Sequence, residues 1–335
     1  MKNVAIIGCG AIAKNHAEAL LDCPHAALTV VCDLLPDRAA KAAAAWKARA
    51  VTDYQAVLAD PGVDVVHLCT PHYLHVPMAL QALAAGKHVL TEKPMALTAV
   101  EGEQLVKAAR ESGKTVGVCF QNRFNQTAAH LKSVLDSGKL GRIKGARAFV
   151  TWHRDQAYYT ADPWKGTLAQ EGGGVLINQS IHTLDLLQWF LGPVAELKGT
   201  ASQRLLEGLI EVEDTAEATL RFTSGATAIF YATNCHVVDS PISIDVEGEN
   251  GSARLCEDLT ISYSDGTTET VQESGRAAGV KSYWGIGHKL LIDSFYLALS
   301  GGSGKVIDAA EGLKAIRLLE AIYTSEKTRK WETIG

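Results

Sequence analysis

The opening stretch MKNVAIIGCGAIAKNH, residues 1–16, decides the architecture. An apolar run, NVAII, leads directly into GCGAIA, residues 8–13, and then into an alanine-rich segment. A short apolar run that stops at glycine predicts a buried strand, and the segment after it a helix. Gly8 permits the tight turn between them. Gly10 lets a pyrophosphate approach the backbone, and the small Ala13 allows close helix–strand packing. The unpaired N–H groups and positive dipole end of such a helix attract phosphate, which places Gly8, Gly10, Ala11 and Ile12 at a dinucleotide.

Glycines between strand and helix can also be a plain turn, so the surroundings decide. Apolar runs recur at 28–32, 63–69, 87–91 and 115–120, without alternation, as strands buried on both faces should be. Helical stretches near 11–22, 36–47, 75–85 and 98–111 separate them. Such alternation predicts a parallel sheet with helices on both faces, a Rossmann-type α/β domain. Asp33 ends the second strand about twenty residues after the glycines, where its carboxylate can accept from both ribose hydroxyls. The same charge repels a 2′-phosphate, so NAD is favoured over NADP, although Arg38 stands close enough to complicate the choice. Ligands of open parallel sheets lie beyond the carboxyl ends of the strands. Thr70, Pro71, His75, Glu92, Lys93, Pro94 and Gln121 occupy such ends and complete the expected cofactor set.

After residue 121 the texture changes. A helix is expected at 126–137 and a strand at 143–152, followed by a loop rich in Trp, Tyr, Asp and Pro. Residues 194–272 show period-two runs such as TAEATLRF between polar turns, which predict a largely antiparallel open sheet with one covered face. Two helices, near 286–300 and 307–326, follow. The expected division is a nucleotide-binding domain over 1–121 and an α+β substrate and oligomerisation domain over 122–335.

Composition narrows the function. With 47% hydrophobic and 21% charged residues the 335-residue chain is globular, and its net charge of −5 gives no electrostatic reason to bind nucleic acid or an anionic membrane. No apolar run approaches the ~20 residues that span a bilayer, and the first strand lacks a signal peptide's long apolar region. Seven cysteines without a C-x-x-C pair fit reduced thiols in the cytoplasm. The eleven histidines show no ligand-like spacing with cysteine or carboxylate, so no metal is expected.

The second informative stretch is EGGGVLINQSIHTLDLLQWF, residues 171–190. Read as one helix, it places Asn178, His182 and Asp185 on a single face of an otherwise apolar surface. Together with GCGAIA and CTPHYLHVPMALQALAAGKHVLTEKPMA, this stretch resembles the Gfo/Idh/MocA oxidoreductases, named for glucose–fructose oxidoreductase and inositol dehydrogenase. The resemblance covers essentially the whole chain, and its specific parts are the Glu-Lys-Pro and Gly-Gly-Gly…His-x-x-Asp segments. It implies that Lys93 reaches the reacting sugar hydroxyl and the nicotinamide ribose, across a Lys93–Pro94 bond that is often cis in the family. It also implies that His182 is the general acid/base, a role suited to an imidazole titrating near pH 6.5. The inositol dehydrogenases place an aspartate where this chain has Asn178. The stretch is more similar to the subgroup with UDP-sugar 3-dehydrogenases.

Softer candidates surround that core. Arg123 and Asn125 follow the last Rossmann strand. Tyr158, Tyr159, Trp164 and Lys165 offer stacking surfaces and donors of the kind a sugar pocket uses. Asp185 can orient the imidazole or hold a hydroxyl, and His288 enters a helix from a glycine-flanked loop. The leading expectation is an NAD-dependent dehydrogenase of a sugar or cyclitol, forming a dimer or tetramer through its C-terminal sheet. An NAD-dependent glycosidase and a non-catalytic dinucleotide sensor are the alternatives.

Overall fold

The computed structural model describes residues 1–274 and 285–335. The chain separates into two compact units, Met1–Gln121 with His288–Leu313, and Asn122–Gly287 with Lys314–Gly335.

The first unit starts with β1 (Lys2–Ile7), whose Val4, Ala5 and Ile6 are fully buried. It continues through α1 (Ala13–Leu21), β2 (Ala26–Cys32), α2 (Pro36–Trp46), β3 (Arg49–Val51) and α3 (Tyr54–Ala59). Then come β4 (Val65–Leu68), α4 (His75–Ala84), β5 (His88–Thr91), α5 (Ala99–Ser112) and β6 (Val116–Val118). The six strands form one parallel sheet in the order β3-β2-β1-β4-β5-β6. The order reverses between β1 and β4, and their carboxyl ends frame the crevice where such sheets bind ligands. Local chemistry sets the helix starts. Pro36 opens α2 with its fixed φ, and the Thr98 hydroxyl accepts from the Glu101 N–H at the start of α5.

The second unit holds α6 (Gln126–Asp136), β7 (Ile143–Thr151), α7 (Gln156–Thr160), α8 (Ile181–Leu191) and β8 (Val194–Ser202). β9 (Thr215–Phe222), β10 (Thr227–Thr233), β11 (Ser243–Gly248), β12 (Gly251–Cys256), β13 (Asp258–Tyr263) and β14 (Thr268–Val271) follow. With α9 (Gly287–Leu299), α10 (Ala309–Thr328) and β15 (Glu332–Thr333) the described elements are complete. Nine strands make one sheet in the order β14-β13-β12-β11-β7-β10-β9-β8-β15, antiparallel except where β7 pairs with β10. Period-two patterning decides its faces: Ala216, Ala218, Leu220 and Phe222 of β9 are buried, while Glu217 and Arg221 are exposed. α6 and α8 pack against the sheet. Among the described residues no helix is long and apolar enough to cross a membrane.

One segment departs from the expected division at residue 121. His288–Leu313 packs with the first unit rather than with the rest of residues 122–335. The reason is the edge of the parallel sheet. Val118 N–H donates to the Ile307 carbonyl at 2.8 Å, and Gly117 bridges to Asp308. The Phe295 ring lies so close over Gly117 that a Cβ there would meet it at 2.8 Å.

Candidate active site

At the nucleotide end, Gly8 leaves β1 with φ +87°, and a Cβ on it would stand 2.6 Å from the Cys69 carbonyl oxygen. Both facts demand glycine. A Cβ at Gly10 would meet nothing within 4 Å, so that side of the turn is open. α1 then starts without a side-chain cap on Ile12, so no side chain competes with an oxygen-rich ligand at its N-terminus. Asp33 follows β2 and braces the turn, accepting at Oδ2 from Cys9 N–H (2.9 Å) and at Oδ1 from Leu35 N–H (3.0 Å). Each carboxylate oxygen keeps acceptor capacity for a ribose hydroxyl. The Thr70 hydroxyl oxygen, just past β4, is buried without a hydrogen-bond partner. An open glycine, an uncapped helix, a braced carboxylate and an orphaned hydroxyl fit a dinucleotide, its pyrophosphate at Gly8–Ile12 and its adenosine ribose at Asp33. Burial, with Asp33 adding to it, pushes the neighbouring Cys9 thiol up to about 12, so it stays an uncharged thiol.

Arg38 stands with Nη1 3.8 Å from Asp33 Oδ2, its side chain half exposed. Asp33→Ser removes the ribose acceptor and the charge that disfavours a 2′-phosphate while leaving Arg38 in place. NADH affinity is expected to fall by roughly 10- to 100-fold, the worth of one or two charge-assisted hydrogen bonds, with NADPH affinity holding or rising. Fluorescence titration of both cofactors measures this. Tighter binding of NADPH than NADH by the unmodified protein would reverse the assignment.

Beyond β5 the Lys93–Pro94 peptide bond is cis. Two contacts hold this turn: Lys93 N–H donates to Glu92 Oε2 (3.2 Å), and His75 Nδ1 lies 2.7 Å from the Pro94 carbonyl. His75 Nε2 faces the Thr70 carbonyl at 2.8 Å, and burial pushes the ring's pKa down. With its ring nitrogens at two carbonyls, His75 braces this wall. Glu92 and His288 are likewise engaged within the protein. Glu92 is buried, and its Oε1 receives both His16 Nε2 (3.0 Å) and His288 Nε2 (3.1 Å). His288 is thereby committed to Glu92 rather than to a sugar. No local pattern marks this histidine–carboxylate cluster, because residues 16, 92 and 288 meet only through the fold. Pro71 leads into a 3-10 turn at His72–Leu74, and Gln121 opens another at Gln121–Phe124.

In the second unit, the three glycines of residues 172–174 have a physical cause. A Cβ on Gly173 would lie 2.2 Å from the Tyr323 hydroxyl, and one on Gly174 only 1.8 Å from the Glu213 carbonyl oxygen. Glu213 grips this stretch: its Oε1 accepts from Gly174 N–H and Leu176 N–H (both 2.9 Å) and from the Tyr323 hydroxyl (3.0 Å). Burial pushes the Glu213 carboxyl up, and those N–H donors pull against it. The expected single helix over 171–190 is therefore split. Val175–Gln179 forms a π-helical turn, Ser180 N–H bonds the Val175 carbonyl, and α8 begins at Ile181 with His182 in its first turn.

The split changes the polar stripe. His182 lies in α8 and is buried, whereas Asn178, on the π turn, is half-buried and donates to Glu171 Oε1. The Tyr158 hydroxyl accepts from Gln179 Nε2 (3.0 Å) and Asn178 Nδ2 (3.4 Å). Lys165 Nζ stands 4.3 Å from the Tyr158 ring centre and 2.7 Å from Asp162, and Trp164 beside it is half-buried. Tyr159 is buried and accepts from Asn234. Asp185 and Arg123, both expected at the substrate, are brought together instead. Arg123 Nε and Nη2 donate to Asp185 Oδ2 (2.8 Å) and Oδ1 (2.7 Å), with side chains only 9% and 3% exposed. A bidentate pair this buried anchors α8 to the turn before α6, and its geometry takes up the groups expected to hold hydroxyls. The Asn125 side chain makes no cap bond to α6, and among the described residues its buried Oδ1 has no hydrogen-bond partner.

Asn178→Asp tests the stripe. The new carboxylate faces Glu171 without the amide donor, so the pair must share a proton. A carboxyl whose folded pKa is raised binds a proton that the unfolded chain releases, so stability falls as pH rises through that window. The variant is expected to lose about 1–3 kcal/mol at pH 8, most of it recovered near pH 5. Melting curves of both proteins at the two pH values measure it; an equal deficit at both would exclude the shared proton.

A family model described as an oxidoreductase family with an NAD-binding Rossmann fold, GFO_IDH_MocA, matches residues 2–120. The GFO/IDH/MocA C-terminal domain matches residues 128–254. The chain is 28% identical over 346 residues to D-glucoside 3-dehydrogenase of Escherichia coli (strain K12), across 97% of this chain and 95% of that one. It is 30% identical over 259 residues to scyllo-inositol 2-dehydrogenase (NAD(+)) of Bacillus subtilis (strain 168), across 74% and 72%. Among solved structures, the WlbA dehydrogenase of Bordetella pertussis, in complex with NADH and UDP-GlcNAcA, superposes with a TM-score of 0.86. It shares 32% identity and covers 100% of this chain and 99% of its own.

Proposed function

The chain belongs to the GFO/IDH/MocA family of NAD-binding oxidoreductases, and on that premise we propose that its substrate is a sugar, sugar derivative or cyclitol oxidised at one ring hydroxyl. The observation that carries the choice is the polar set of the second unit. His182 opens α8, and Asn178, Gln179, Tyr158 and Lys165 form a connected patch of donors and one aromatic face. Polyhydroxylated rings are recognised by that combination, whereas a simple alcohol needs only an apolar slot. The relatives named for a glucoside, an inositol and a UDP-sugar support the same class.

Bound NAD supplies the hydride acceptor. The chain's own residues manage the proton and the charge. His182 takes the proton of the reacting hydroxyl, and the Lys93 ammonium steadies the alkoxide as it forms. In the reverse direction His182 returns the proton. Asn178 and Tyr158 hold other hydroxyls, and Trp164 supplies an apolar surface for the ring. Seven free thiols support a cytoplasmic protein. The uncovered face of the large sheet, with Ile229 57% exposed between Thr227 and Tyr231 of β10, supports self-association through that sheet.

The test is NAD-linked oxidation across free sugars, inositols, glycosides and UDP-sugars, followed by NADH absorbance. A ring polyol is expected to give net NADH. Turnover of lactate or ethanol with none on any ring polyol would overturn the proposal. Release of an aglycone without net NADH would mark a glycosidase instead.

A further inference from the structure

Five side chains of the first unit form a run of hydrogen bonds. The Tyr296 hydroxyl on α9 lies 2.7 Å from His67 Nε2, within β4. His67 Nδ1 lies 2.9 Å from His16 Nδ1 on α1. His16 Nε2 then reaches Glu92 Oε1 at 3.0 Å, and His288 Nε2 meets the same oxygen at 3.1 Å. Tyr296, His67 and His16 are completely buried.

Chemistry fixes where each hydrogen lies. Among the described residues the Tyr296 hydroxyl makes one hydrogen bond, to His67, and a buried O–H left unmet costs about 1–3 kcal/mol. Tyr296 therefore donates, and His67 Nε2 accepts. A neutral ring that accepts at Nε2 carries its hydrogen on Nδ1. That hydrogen points to His16 Nδ1, so His16 carries its own on Nε2 and donates to Glu92. Every hydrogen faces the same way, toward the carboxylate. Protonating His67 would set an N–H against the Tyr296 hydroxyl, and protonating His16 would set two N–H groups head to head.

The groups around Glu92 agree with this order. They are His16 on α1, His67 on β4, Cys69 after it, His75 on α4, Cys119 after β6, His288 and Tyr296 on α9, and Lys93 next in sequence. Burial pushes the His67 ring well down and the Tyr296 hydroxyl and the Cys69 and Cys119 thiols well up, so all four stay uncharged. Burial also resists charge on Glu92, but the side-chain hydrogen bonds from His16 and His288 outweigh it and hold the carboxyl well below its usual range.

We propose that this one-way run keeps Glu92 ionised and fixed, and that Glu92 in turn sets the Lys93–Pro94 turn, which makes Tyr296, His67, His16 and His288 positioning residues for Lys93. The link to the turn is the Lys93 N–H on Glu92 Oε2. The proposal rests on the assignment of Lys93 as the cation that steadies the alkoxide. Removing a donor from the run raises the Glu92 pKa, so the carboxyl becomes neutral at a higher pH and loosens its hold on Lys93. Activity then falls earlier on acidification.

Two measurements on the full chain test this. Nitrogen-15 NMR of histidine-labelled protein is expected to show Nδ1–H on His67 and Nε2–H on His16 and His288 throughout the neutral range. An Nε2–H tautomer on His67 overturns the run whatever the activity. In Tyr296→Phe, which deletes one oxygen, the Glu92 carboxyl is expected to titrate higher by about one pH unit or less in carbon-13 NMR of glutamate-labelled protein, with NADH affinity unchanged. An unmoved Glu92 titration overturns the positioning role. His16→Gln, whose amide can donate to Glu92, is expected to recover activity that His16→Phe loses; equal loss in both counts against the proposal. If His16→Phe fails to fold, the tautomers and Tyr296→Phe decide. Stoichiometric Co²⁺ binding abolished by His288→Gln would make the cluster a metal site and also overturn it. Near-normal turnover of Lys93→Ala would instead sink the assignment of Lys93, leaving the tautomers untouched.

Discussion

His182→Ala lowers kcat by on the order of 10²–10⁴, the usual worth of a positioned general acid/base, while NADH binding stays intact. The separation is expected because His182 belongs to the second unit, and Gly8, Gly10 and Asp33, proposed to hold the dinucleotide, to the first. Lys93→Ala costs a comparable factor, since it removes a charge aimed at the developing alkoxide. Lys93→Arg recovers little, because a planar guanidinium does not replace a compact ammonium at a single oxygen. Stopped-flow hydride transfer, read beside NADH fluorescence for each variant, gives the result. Near-normal turnover in His182→Ala with cofactor bound would return that imidazole to a packing role.

Gly174→Ala is expected to cost more than about 4 kcal/mol or to prevent folding, whereas Gly10→Ala folds normally and loses the cofactor. The two glycines differ in what surrounds them. At Gly174 the added methyl would lie 1.8 Å from the Glu213 carbonyl oxygen, a backbone atom with no rotamer to change. Relief requires parting Gly174, Val175 and Leu176 from Glu213, which breaks three hydrogen bonds and frees the lead into α8. Losses of that size come from disrupted packing and buried bonds. At Gly10 the methyl meets open space, so stability should change by less than about 0.5 kcal/mol. It occupies room kept for the pyrophosphate, so NADH binding should drop at least 100-fold. Denaturant titration and cofactor titration of both variants separate the cases. A Gly174→Ala protein with an unchanged midpoint would show that the Glu213 grip is dispensable.

What the sequence disclosed follows the range over which each signal acts. β1, β2, β4, β5 and β6 were legible because each is an apolar run covered on both faces. β3 was not: three residues, Arg49–Val51, two of them exposed, carry no period. α3, six residues long, is likewise too short for a helical pattern to register. The polar stripe was drawn wrongly as one helix, because the π turn is imposed by Glu213, nearly forty residues downstream. Arg123 and Asp185 looked like two ligands for one substrate. Their spacing of 62 residues hid that they are each other's partner. Asp33 stands just past β2, where the sequence put it, because a strand end after a glycine turn is a wholly local signal.

The unit that carries the glycine turn is not continuous in the chain, and this bears on the order in which the protein is made. A ribosome finishes β6 long before it reaches α9, with Asn122–Gly287 emerging in between. Throughout that interval Leu90 and Gly117 lack the Phe295 ring, and the edge of β6 lacks Ile307. A fragment ending at Gln121 would contain all six parallel strands but present a bare apolar flank to solvent and to other nascent chains. Glu92 in that fragment would have His16 but neither His288 nor, through His67, Tyr296. The unit whose synthesis begins first is thus still incomplete when most of the second unit has been made.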